Sequence, residues 1–150
     1  MQRLLALIGL SLVLPIALPA SEFDWVVREF SRESGAKPAH IPMFGLVRFA
    51  VSVGHPGGTS ELNLAVFEHP NLESRRFNEI TDSAVGGNWK PMVRVRARNG
   101  ESTNIYSQVH GKELHLLIAS LDHADATFVE VRVRPEELMK FVDEHTGSKE

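Results

Sequence analysis

The chain contains no cysteine. That excludes disulfides, thiolate nucleophiles and cysteine zinc sites, and it rules out lipid attachment at a leader cysteine. The short motifs of common chemistries are missing as well. No G-x-S-x-G elbow, no phosphate loop and no G-x-G-x-x-G fingerprint occurs. The glycine-rich stretch from Gly54 to Gly58 lacks the lysine and the following helix that a phosphate cradle needs, and its composition is that of a turn. None of the seven histidines stands at H-x-x-x-H or H-x-H spacing. His110, Glu113 and His115 fall near one expected hairpin end and are the candidate metal ligands, one short of the four a structural zinc wants. No cofactor and no catalytic constellation is expected. Positive charge is also scarce: the net charge is −3, which argues against a general nucleic-acid binder.

What is present begins with a leader-like opening. Arg3 precedes an apolar run from Leu4 to Leu18, and the small residues Ala20 and Ser21 follow. This is the layout of a secretory signal peptide. The run contains Pro15, is short for a membrane span of about 20 residues, and is not followed by a basic stop-transfer cluster. Residues 1–20 are therefore expected to be a signal peptide, leaving no transmembrane segment after cleavage and a periplasmic or extracellular protein. Cleavage removes Arg3 and takes the net charge from −3 to −4. Residues 21–144 are one domain's worth of chain, and residues 145–150 read as a flexible tail.

Periodicity supplies the elements. Phe23, Val26, Val27 and Phe30 mark one helical face, with Gly35 as the stop. LVRFAVSVG and ELNLAVFE alternate as strands and predict a hairpin through the His55–Gly58 loop. Around ESRRFNEITDSAV the period changes. Asn71 is the expected N-cap, Leu72, Phe77, Ile80 and Ala84 form a thin apolar side, and Gly86-Gly87 end the helix. Four strands follow: WKPMVRVRAR, TNIYSQVH, ELHLLIASL and TFVEVRVR. Pro135 and two glutamates then open a last helix. The order α-ββ-α-ββββ-α predicts an α+β fold: an antiparallel sheet of about six strands with helices on one face.

Pairing arithmetic gives the register. A three-residue connection with Gly100 left-handed pairs Ala97 with Glu101 and Val93 with Ile105. Glycine first in the Gly111-Lys112 turn pairs Val109 with Leu114. A four-residue loop, His123–Ala126, pairs Ile118 with Val131. One face then collects valines, leucines and isoleucines from Val93 to Val133, and is expected to be the core under the helices. The other collects Arg94, Arg96, Arg98, Tyr106, Leu117, Phe128, Arg132 and Arg134, with His115 and Glu130 among them. Arginine mixed with aromatic and aliphatic groups is the composition enriched in interfaces, so these eight residues are the candidate binding face. Arginine stems lying over apolar neighbours give the same pattern without any function.

FGLVRFAVS, NWKPMVRVRARNGESTNIYSQ and LHLLIASLDHADATFVEVRVRPEELMKFV follow an order that resembles a family of small exported bacterial proteins catalogued only as a domain of unknown function. The resemblance covers most of the mature chain. It implies a tryptophan leading into a meander and a last strand running into a closing helix. It brings no active-site residues, and it implies a role accessory to envelope signalling. The expectation is a non-enzymatic interaction module whose arginine face meets an unknown protein or an anionic envelope component. The alternatives are a small-ligand or lipid carrier with a pocket near Trp89 and the His55–Gly58 loop, and an enzyme of unrecognised type.

Overall fold

A computed structural model describes residues 21–40 and 58–146. The expected signal peptide, the strand LVRFAVSVG, its hairpin with ELNLAVFE and the last four residues lie outside the described residues.

Helix α1 (Glu22–Ser34) starts where its first turn can be capped. Ser21 Oγ accepts from the Asp24 amide at 3.1 Å, and Asp24 Oδ2 accepts from the Ser21 amide at 3.3 Å. This reciprocal pair satisfies two otherwise orphaned amides. Gly35 at φ 71° closes the helix, a conformation that costs glycine nothing. Strand β1 (Thr59–Glu68) follows the undescribed segment. The outer edge of β1 meets Pro38 and Ala39, and the Ala39 amide bonds Val66 O at 2.7 Å.

Helix α2 (Ser74–Val85) begins later than Asn71 predicts. His69 and Asn71 both take left-handed backbone, φ 49° and 50°, so the chain is still turning there. Glu73 becomes the N-cap and makes no side-chain cap bond. The helix buries Phe77, Ile80 and Ala84 as expected, and also Asn78, Thr81 and Val85.

Strands β2 (Lys90–Arg96), β3 (Ser102–His110), β4 (Glu113–Leu121) and β5 (Asp125–Val133) form an antiparallel meander. β1 adds beside β5, giving the order β1-β5-β4-β3-β2. The fold is α+β with a five-stranded antiparallel sheet among the described residues, one strand fewer than expected. Helix α3 (Pro135–Thr146) closes the described chain and runs two residues into the expected tail. None of the described helices is long and apolar enough to cross a membrane.

Two of the three predicted turns hold. Gly100 is left-handed at φ 92°, Ala97 N bonds Glu101 O at 2.9 Å, and Val93 faces Ile105. Val109 faces Leu114. The third turn is displaced by two residues: Ile118 faces Val129, not Val131. Asp122 is the cause. Its Oδ1 accepts from the amides of Ala124 and Asp125, both at 2.8 Å, and so closes the strands at Leu121 and Ala126. Those same bonds, that from Asp125 first, hold the Asp122 carboxyl below its ordinary range. A shift of two preserves parity, so every side chain keeps the face expected for it.

Helices α1 and α2 lie on the other face from the one predicted. Alternate residues of β1, β3, β4 and β5 are buried, and they are Ala65, Phe67, Asn104, Tyr106, Leu117, Ala119, Ala126, Phe128 and Glu130 among others. Aromatic shape decides this. Phe30 of α1 drops onto the sheet with its ring centroid 4.8 Å from Phe67, 4.7 Å from Phe128 and 5.8 Å from Phe77. Ala119 and Ala126 on the same face have the small side chains that leave room for rings. Each ring buries about 150–250 Å², more than a valine offers. The polar residues of this face are also matched from above: Ser102 Oγ and Asn104 Nδ2 both donate to Asn78 Oδ1, at 2.9 and 2.7 Å.

Candidate functional site

The candidate arginine face is not one open surface. Tyr106, Leu117 and Phe128 are 2%, 0% and 0% exposed beneath the helices. The arginines occupy the rim of the same face, most of them against carboxylates. Arg94 bonds Asp82 of α2 and donates from Nε to Asn104 Oδ1 at 2.9 Å. Arg132 lies between Glu61 at 2.6 Å and Glu130 at 3.2 Å. Arg134 is 3.2 Å from Glu137 and 3.7 Å from Glu113. Arg96 and Arg98 stand exposed on the edge strand and its turn. The expected aromatic interleaving therefore belongs to the core, and the expected positive field is largely paired out.

Behind Arg132 lies a buried polar group centred on Glu130. Glu130 is 1% exposed and accepts from Asn63 Nδ2 at 3.0 Å and Arg132 Nε at 3.2 Å. His115 Nδ1 stands 3.7 Å away. On its other side, His115 Nε2 is 3.5 Å from Glu113, and its ring lies 4.6 Å from that of His110. The three candidate metal ligands are thus brought near one another. Even so, no three His, Asp or Glu groups among the described residues converge on a metal position. The alternation of Asn63 between Leu62 and Leu64, opposite Glu130, was the available signal for this network.

The expected pocket near Trp89 exists in part. A cavity of about 450 Å³ is lined by Trp89, Val85, Pro91 and Tyr106, with Asp82 and Arg94 at its polar side. Gly58 is not at its mouth. It lies at the start of β1, on the opposite sheet edge, where its carbonyl accepts from the Arg134 amide at 2.9 Å. Tyr106 donates to Asp82 Oδ1 at 2.6 Å and Arg94 donates to the same oxygen, so the three polar side chains of the cavity already engage one another. Burial first, and the Asp82 bond second, push the Tyr106 hydroxyl well above its ordinary range. It is the chain's single tyrosine, so an absorbance titration reads it alone. Native protein is expected to form no tyrosinate at the usual midpoint of about pH 10. Because the folded state holds this proton more tightly, Tyr106 leaves stability unchanged below that pH and erodes it above. A normal midpoint in the folded protein would contradict the buried bond.

The remaining surface is the one expected to be core. On the side of the sheet away from α1 and α2, no residue of the five strands is buried. Leu62, Leu64, Ile105, Leu116, Ile118, Val129 and Val131 are half-buried, while Val93, Val95 and Val109 are 44%, 56% and 72% exposed. Exposed apolar fields of this extent are associated with contact surfaces. No family model, curated protein or solved structure matches the chain.

Proposed function

We propose that the protein is a non-enzymatic interaction module that docks through the valine-rich face of its sheet and works outside the cytoplasm. The carrying observation is the exposure of Val93, Val95 and Val109 on a face where β3, β4 and β5 carry only leucine, isoleucine, valine, serine and threonine between their ends. Antiparallel sheets with one covered face usually turn polar residues to water on the other. Here Asn63, Asn104 and Glu130 lie inward among the core rings, and much of the outward face is Leu, Ile and Val. The leader-like residues 1–20 support export, and the resemblance to small exported proteins supports an accessory role at the envelope.

A photoreactive amino acid at Val95 or Val109, introduced in the native host, tests this reading. It is expected to give discrete adducts, whereas the same probe at Arg28 or Glu79, on the outer sides of α1 and α2, gives none. Adducts from the helices and none from the sheet face would overturn the reading.

A further inference from the structure

We infer that the occupant of the valine face is a second copy of this chain, joined face to face about a two-fold axis that lies across the strands. This rests on the docking role proposed above and adds its partner and geometry.

Area is the first argument. Five strands at a spacing of about 4.8 Å and roughly eight residues at about 3.4 Å give a face of about 24 by 27 Å. Two copies would remove on the order of 1,300 Å² from water, within the ~1,200–2,000 Å² of stable interfaces. Neutrality is the second. A two-fold interface brings a patch against itself, so any central charge meets its equal. On this face β3, β4 and β5 carry no charged residue between their ends, only Val, Leu, Ile, Ser and Thr.

The ends choose the axis. Glu68, Asp125 and Glu101 form an acidic row at one end of the face, by the parity of their strands. Lys112, in the turn between β3 and β4, stands at the other, with Glu136 of α3 beside it, so that end is mixed in sign and not acidic. An axis along the strands would keep acidic end over acidic end and, by the strand order, set Asp125 of one copy against Glu101 of its mate. An axis across the strands lays the acidic end of each copy over the Lys112 end of the other. Like charges opposed at an interface are costly, and opposed signs fix the register.

Sedimentation of the purified protein over a concentration series tests this. The unaltered protein is expected to sediment as a dimer. V95K/V109K, at positions open to solvent, is expected to weaken the dimer by about tenfold or more with an unchanged far-ultraviolet circular dichroism spectrum. K112E is expected to weaken it too, and to do so less in high salt; a K112E dimer as tight as the original would overturn the axis. A protein that is monomeric at every concentration would overturn the inference. Hydroxyl-radical labelling of that monomer then separates the two proposals. Labelled Leu116 and Ile118 would leave the docking role standing with a different partner. Protected Leu116 and Ile118 would mean that the chain covers its own face, and both would fall.

Discussion

Replacing Phe30 with alanine is expected to lower the stability of the fold by about 3–5 kcal/mol, read as a fall in the denaturant midpoint at constant slope. One ring, 0% exposed, touches β1 through Phe67, β5 through Phe128 and α2 through Phe77. Its loss removes transfer energy and leaves a hole that three elements line and none can fill alone. Val109→Ala is the matched control. In the single chain that side chain is 72% exposed, and its truncation, measured at concentrations where the protein is monomeric, is expected to cost no more than about 0.5 kcal/mol. The contrast tests the assignment of the faces. If the valines were core and the phenylalanines wet, the two costs would exchange places.

The second large effect concerns Arg132. Changing it to methionine keeps much of the apolar stem and removes the guanidinium that holds Glu61 and Glu130 together. Glu130 would be left 1% exposed, with Asn63 as its hydrogen-bond donor. Breaking a buried pair from one side costs about 3–5 kcal/mol. Arg132 is itself 25% exposed, so water reaches the site and about 3 kcal/mol is expected. Glu130→Gln in the same chain removes the orphaned charge and is expected to restore much of the loss. Denaturation of the two single variants and the double variant gives the coupling directly. Simple additivity would mean that the two residues do not act on each other.

Most of the architecture was legible in the chain. The stops at Gly35 and Gly86, the meander and two of its three turns follow from local rules. The choice of face does not. Once the register is set, Val93 and Ile105 share one parity, and Tyr106, Leu117 and Phe128 share the other. Both sets read as apolar alternation. Counting β-branched residues favours the valine side, because such residues suit any pleated surface, buried or not. The helices instead selected the side that fits rings. Phe30 and Phe77 need the small residues Ala119 and Ala126 beneath them, and Asn78 needs Ser102 and Asn104 as donors. These are matches between segments distant in sequence, so no window along the chain contains them. The candidate site was misplaced for the same reason: its arginines were correctly grouped with Tyr106 and Phe128, and the whole group was turned outward.

The edge of β2 sets a limit on assembly. A free strand edge is a row of unpaired amides and carbonyls on which further copies can grow without end. Pro91 offers no amide to such a newcomer, and the bulge between Pro91 and Val93 bends the strand away from a straight template. Arg94 and Arg96 add charge that an identical incoming strand would have to meet. Among the described residues no further strand pairs with this edge, and two of the arginines grouped as a docking surface, Arg94 and Arg96, stand where they disfavour growth of the sheet into fibres.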